Sequence, residues 1–374
     1  MTKAATVREI PFFRYREAFA AIEPQLLDTV RDVIARGAFI MQKDLTDFEH
    51  AVADFLGVKH VFGVGNATDG LLIAFRAAGL EPGDEVIFPS HTMVAGPAAV
   101  HFAGGVPVPV DIGPDRLLDP SAIDAAVTPR TRFIMPVQLN GRTCDMEAVQ
   151  AAADRHGLLI IEDAAQALGS RFRGRHAGTF GVAASFSFYP AKVLGCLGDG
   201  GLVVTDDDDV AERVRQLRDH GRGSDGEVTT WGLNSRLDNL QAAILHLQFR
   251  DYADIMAHRR ALADRYHERL GDLGELSLPP APDAEPDHFD VFQNFEMEAD
   301  RRDELRTFLR ERGIGTLVQW GGKAVHQHPG LGLSASLPVT ERFFTRCLML
   351  PMNMMVSLEE ADHVAVTVRA FYGR

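Results

Sequence analysis

The sequence predicts an α/β fold, a mainly parallel seven-stranded sheet in a large domain followed by a smaller α/β domain, and three observations carry that prediction. From Val61 to Thr205 one unit recurs: a short β-branched run, a turn rich in Gly, Pro and Asp, then an Ala/Leu-rich stretch at helical spacing. Most of the short runs are almost continuously apolar, as strands covered on both faces must be. The stretches between them are long enough to cross over between parallel strands.

In order, strands are expected over residues 61–64, 85–88, 106–110, 132–137, 158–163, 184–188 and 201–205, with crossover helices over stretches such as 71–78, 146–156 and 210–219. A helix over 24–36 precedes them, and the residues before it, 1–20, read as an arm. The acidic run 206–209 suits the start of a helix, where negative charge complements the dipole. After Asn239 the pattern changes. Leu240, Ile244 and Leu247 begin an i, i+4, i+7 stripe that continues without a strong breaker, so a helix of about 30 residues is expected. The Pro/Asp-rich loop 276–288 follows, and the boundary is placed near Asp251: a large domain over 21–250 and a small one over 251–374.

A length of 374 residues suits two domains of roughly 100 to 200 residues each. With 46% hydrophobic and 24% charged residues, neither a disordered nor a fibrous chain is in play. Thirty-eight basic against 52 acidic residues give a net charge of −14, which excludes the basic surface a nucleic-acid binder needs. Cys144, Cys196 and Cys347 are far apart with no CxxC, which argues against a disulfide framework or structural zinc and for a reducing compartment. Arg8 and Glu9 interrupt any signal-peptide core, and the weakly polar run 95–110 falls short of the roughly 20 residues of a membrane span. A cytoplasmic enzyme without membrane or nucleic-acid partners is expected.

The chemistry begins at IIEDAAQ, where a buried strand ends at Asp163. Ligands of open α/β sheets bind outside the carboxyl ends of strands, although an aspartate there equally reads as a helix cap. Lys192 follows 192 − 163 = 29 residues later, after the next apolar strand, flanked by Ala191, Val193 and Leu194. Desolvation makes such a lysine a usable amine nucleophile, and a carboxylate across the crevice is what a pyridoxal phosphate ring requires to keep its nitrogen protonated. The turn Gly65 to Thr68, between a strand and a helix, offers N–H groups for a phosphate, and Ser187 offers a second hydroxyl. No Walker pattern or dinucleotide fingerprint competes.

The segments GNATDGL, PGDEVIFPSHTMVA, PVQLNGRTCDM, IIEDAAQALGS, SFSFYPAK, GDGGLVVTD and GLNSRLDNLQAAIL occur in the order and spacing of one family. From about Ala38 to Tyr372 the chain resembles the DegT/StrS-type sugar aminotransferases, which have the fold type I, aspartate aminotransferase-like, pyridoxal phosphate architecture. The resemblance implies that pyridoxal 5'-phosphate is covalently bound to Lys192, that Asp163 contacts its ring nitrogen, that Gln166 lies by the ring and its 3-hydroxyl, and that Ala67, Thr68 and Ser187 hold the phosphate. It implies a homodimer with shared active sites, Asn234 reaching the neighbouring subunit's phosphate; read by itself, Asn234 equally suits a helix cap. Two positions depart from the family: Met93 stands where an aromatic residue often stacks on the ring, and Ala67 replaces a glycine of the phosphate turn. A thioether still packs against a ring, with less defined geometry.

The implied activity is transfer of an amino group from an amino acid donor, glutamate or glutamine, to a nucleotide-linked keto-sugar. Trp320, Lys323 and His326, in VQWGGKAVHQHP, are substrate-side candidates, with structural roles as the alternative. No metal site is expected, and Cys196 reads as a small hydrophobe in a turn. Two rivals are a sugar dehydratase of the same family, whose members replace the lysine by histidine, and a non-catalytic regulatory protein on the same fold.

Overall fold

The computed structural model of the protein describes residues 8–374, so the first seven residues of the expected arm lie outside it. Seven strands form the large sheet: β1 (His60–Val64), β2 (Glu85–Pro89), β3 (Val106–Val110), β4 (Thr131–Ile134), β5 (Leu159–Asp163), β6 (Ala183–Ser187) and β7 (Gly201–Thr205). Their order across the sheet is β1-β7-β6-β5-β4-β2-β3. The contiguous block β6-β5-β4-β2-β3 is parallel, while β7 pairs antiparallel with both β6 and β1. All seven expected strands are present. The fourth ends at Ile134 instead of 137, because Pro136 has no N–H to give the ladder and only an isolated bridge, Val137 to Asp163, lies beyond it.

Local signals place the crossover helices. Met146–His156 has the expected bounds, opened by Asp145, whose side chain accepts from Ala148 N, and closed by Gly157 in the left-handed conformation. The helix after β1 begins at Ala67, four residues before the expected start, because Asn66 caps it by accepting from Asp69 N. The helix Asp208–Arg218 opens in the acidic run, capped by Asp207.

The single 30-residue helix expected from Leu240 is instead two helices, Asn239–Phe249 and Tyr252–Leu270. No proline or glycine breaks it. Ala242 and Leu245, and still Tyr252 and Met256 at the start of the second helix, pack with the large sheet's cluster, whereas Leu262, Ala263, Tyr266 and Leu270 further along pack with Phe295, Leu348 and Val364. The second helix thus spans both cores. The second core is covered by an antiparallel sheet of β8 (Leu276–Ser277), β9 (Phe295–Ala299) and β10 (Cys347–Leu350). The helices Arg302–Arg310 and Leu358–Phe371 complete it.

The turn after β1 is packed against β7 without slack. A Cβ at Gly201 would sit 2.7 Å from the carbonyl carbon of Asn66, 2.8 Å from Ala67 N and 2.9 Å from Phe186 O, all backbone atoms. Gly201→Ala is therefore expected to cost about 1 to 3 kcal/mol in denaturant unfolding, and an unchanged midpoint would show that the turn has room to yield.

Candidate active site

Strand alternation sends the last two side chains of β5 to opposite faces. Glu162 is fully buried and accepts from Gln138 Nε2 at 2.6 Å and from the backbone N–H groups of Gly178, Phe180 and Gly181 at 2.8, 2.6 and 3.0 Å. Burial pushes its carboxyl upward and those bonds pull it back, so Glu162 ties down the loop 178–181. Asp163, 6% exposed, has only Ala165 N at 3.1 Å as a hydrogen-bond donor. Burial raises its pKa, and Ala165 N–H and Lys192 oppose the rise.

Lys192 reaches the same place from the next strand. β5 and β6 are parallel neighbours, with Asp163 beside Ser185, and the chain leaving β6 carries Lys192 in a turn closed by its own N–H to Tyr189 O at 2.8 Å. Part of the residue's surface is open, but its amine end is enclosed by protein. Burial lowers that amine to about 8, with Asp163 the opposing charge.

Both groups line one cavity of about 400 Å³ that also takes in Ala67, Thr68, Met93, Gln166 and Ser187. Seven of the eight residues expected at the cofactor are thus brought together. Ala67 and Thr68 open their helix, where backbone N–H groups have no intrahelical acceptor. Ser235 holds the turn in place, accepting from Gly65 N at 3.0 Å and donating to Asp69 Oδ2 at 2.7 Å. Gln166 Oε1 accepts from Asn140 N at 2.9 Å, leaving its amide N–H groups as the end without a protein partner among the described residues. Met93 is half exposed at the rim.

Asn234, the eighth, does not line this cavity. It is exposed and pairs through its backbone with Asp219. Nor does it cap the following helix: that position belongs to Asp238. The substrate candidates lie apart as well. Trp320 packs edge-on to His91 at 5.6 Å, Lys323 is exposed, and His326 is buried with Nδ1 2.7 Å from Ser90 Oγ and Nε2 3.3 Å from Glu341. These contacts dock the 319–327 segment onto the large domain. Cys196 is buried, its thiol within reach of Phe188 O and Gly198 O and pushed up to about 12. Among the described residues no cluster of three or more His, Cys, Asp or Glu is placed to hold a metal.

Thr92, Tyr189 and Asp199 also line the cavity, and the sequence reading had not singled them out. The signal for Thr92 was available in PSHTM, beside Met93. Its hydroxyl is buried with no hydrogen-bond partner among the described residues.

The DegT/DnrJ/EryC1/StrS aminotransferase family matches residues 20–369. The chain belongs to that family. This aminotransferase is 40% identical over 380 residues to the dTDP-3-amino-3,4,6-trideoxy-alpha-D-glucose transaminase of Streptomyces venezuelae, covering 100% of this chain and 99% of that one. It is 39% identical over 367 residues to the erythromycin biosynthesis sensory transduction protein EryC1 of Saccharopolyspora erythraea, covering 97% and 99%. Among solved structures, S. venezuelae DesV in complex with a ketimine intermediate superposes with a TM-score of 0.93 at 40% identity, covering 98% of this chain and 99% of that chain. The fold type I architecture expected from the motifs is the one these aminotransferases share.

The opposition of Asp163 and Lys192 has a measurable sign. In Asp163→Asn the charge that holds the amine up is lost, so the Lys192 pKa should fall further below about 8. The pH dependence of Lys192 acylation in cofactor-free protein, followed by peptide mass spectrometry, reads this directly; an unchanged or raised value would mean that the two groups do not face each other.

Proposed function

We propose that this protein is a pyridoxal phosphate-dependent aminotransferase that moves an amino group from an amino acid, glutamate or glutamine, to a nucleotide-linked keto-sugar in amino-sugar biosynthesis. The observation that carries this reading is the buried pair at the carboxyl edge of β5 and β6: an amine lowered to about 8 opposite a dry carboxylate, beside a helix N-terminus. The residues present fit the cofactor. Lys192 supplies the amine for covalent attachment, Asp163 the partner for the ring nitrogen, and Gln166 a free amide for the ring's oxygen. Ala67, Thr68 and Ser187 supply donors for the phosphate, and Met93 a thioether at the ring face. The orphaned Thr92 hydroxyl adds a donor that the protein leaves unused.

Once bound there, the cofactor supplies an electron sink for the carbon next to the transferred nitrogen. Asp163 makes that sink effective by keeping positive charge on the ring nitrogen, a charge-assisted contact strengthened by its low-dielectric surroundings. Lys192 would take the proton from the donor's α-carbon and return one to the acceptor's carbon; an amine with a pKa of about 8 is partly neutral near pH 7 and fit for both transfers.

The name of the S. venezuelae relative places the amino group on carbon 3 of a dTDP-sugar, and we take a 3-keto nucleotide sugar as the acceptor. The sensory name of the S. erythraea relative offers a second reading, a regulator on the same fold; the intact pair favours catalysis. Lys192 likewise stands against the dehydratase branch. Cytoplasmic residence accords with three buried free cysteines and with the lack, among the described residues, of a helix long and apolar enough to cross a membrane.

Borohydride reduction of the cofactor-loaded protein is expected to label one peptide, containing Lys192. Protein carrying the amine form of the cofactor should regain aldehyde absorbance with a nucleotide-linked 3-keto sugar faster than with its 4-keto isomer. Bound cofactor without a label on Lys192, or no response to any keto-sugar, would overturn the reading.

The homodimer with shared sites is part of the proposal. Asn234 is exposed with no side-chain bond, and apolar side chains stand in solvent nearby in the chain at Val228 and Trp231, the latter 95% exposed. Phe39 and Ile40, also exposed, lie against the start of the next helix through Phe39 O, which accepts from Asn239 N, and the bridge from Ile40 to Asp238. Mixing inactive Lys192→Ala and Asn234→Ala chains under subunit exchange should restore about half the wild-type activity per mixed dimer, since one of its two sites is then intact. A mixture no more active than its components would place Asn234 outside the neighbour's site.

A further inference from the structure

One short segment of the small domain, DVFQN at residues 290–294, touches the large domain beside two of the site's residues, Gln166 and Lys192. Asp290 accepts from Arg142 Nη1 at 2.7 Å, and Val291 N donates to Gly141 O at 2.9 Å. Asn294 Nδ2 donates to Asn140 Oδ1 at 2.8 Å, the residue whose N–H orients Gln166. Between them, Gln293 Oε1 accepts from Val193 N at 2.8 Å while its Nε2 donates to Ala191 O at 2.7 Å. The two bonds fall on the residues immediately before and after Lys192.

From this geometry we propose that Gln293 is a positioning residue for Lys192, its side-chain amide clamping the backbone on both sides of the lysine and so setting where the amine sits. The inference rests on Lys192 being the cofactor-bearing amine. A primary amide carries the same donor and acceptor as a peptide group, and here it takes the place a neighbouring strand would occupy after β6 has ended. The clamp is stiff because its own base is held. Gln293 is 6% exposed, and buried Arg259 donates to the carbonyls of Phe292 and Gln293 at 3.1 Å each and to Met352 O at 3.3 Å. The approach is close enough that a Cβ at Gly141 would meet Gln293 N at 2.7 Å and Phe292 N at 2.8 Å, and Phe292 itself adopts a left-handed φ of 49°. Groups that orient a reacting group by bonding its support are those whose loss is felt in the chemistry rather than the fold.

Losing the clamp frees the turn to relax outward, and the amine regains water. The charged groups sharing the cavities on either side of Lys192 are Asp163 and Asp199 toward the sheet and Arg14, Asp251, Asp254 and Arg259 toward the arm. Gln293→Met keeps length and volume without the amide.

The test is the pH dependence of Lys192 acylation in the cofactor-free chain, together with cofactor affinity and thermal midpoint. Gln293→Met should raise the Lys192 pKa from about 8 by about one unit and weaken cofactor retention about tenfold, with the midpoint within a few degrees of wild type. If Gln293→Met does not fold, Gln293→Asn carries the test: it stays a neutral amide but, one methylene shorter, cannot reach both Val193 N–H and Ala191 O, and should shift in the same direction by less. A wild-type chain that borohydride labels at Lys192, paired with variants whose lysine pKa and cofactor affinity are unchanged, overturns the clamp alone. A wild-type chain that binds cofactor without labelling Lys192 overturns the reading on which it rests.

Discussion

A carboxylate kept dry at the end of a buried strand is the constraint on which the rest of this site depends. Asp163 has one backbone N–H and one lysine for company, so its charge has little else to neutralise it. Such a group is costly unless a cation faces it, and that cost is what gives the position its use: a ring nitrogen placed there is held protonated, and an amine opposite is held at a pKa near the working range. Its neighbour Glu162 shows the contrast. It is equally buried but satisfied by a side-chain amide and three backbone N–H groups, and it serves the fold instead of the chemistry.

The large sheet supplies the placement. Parallel strands put all their carboxyl ends on one edge, so the turn after β1, the end of β5 and the turn after β6 converge without any of them being near in sequence. This is why so much of the site was legible beforehand. Each residue lay at a predictable strand end, and each strand carried a strong local signal: a continuous apolar run closed by Gly, Pro or Asp. Lys192 and Asp163 could be paired from spacing alone because their strands are sheet neighbours.

What escaped the sequence depended on contacts between distant segments. Nothing local at Arg250 and Asp251 marks the break in the long helix, and the second helix carries side chains from one core, at Tyr252 and Met256, to the other, from Leu262 on. A helix cap, the alternative reading of Asn234, does not hold: the chain takes four more residues to reach the helix, and Asp238 occupies the N-cap position, without a side-chain bond to it. Gln293 lies 100 residues from Val193 in an irregular strap without periodicity, and only the assembled domains show that it reaches the lysine. Through Gln293 and Asn294 this strap bonds to the backbone beside Lys192 and, by way of Asn140, to the segment that holds Gln166.

The central claim is that Asp163, desolvated opposite Lys192, keeps a bound pyridine nitrogen protonated. The most direct measurement is the nitrogen-15 chemical shift of ring-labelled pyridoxal phosphate on the protein, followed from about pH 6 to pH 9 across the range in which an unassisted ring would lose its proton. The account predicts a protonated shift throughout for the wild-type chain and a deprotonated one for Asp163→Asn. A ring nitrogen that titrates in the wild-type protein as it does free in solution would contradict it.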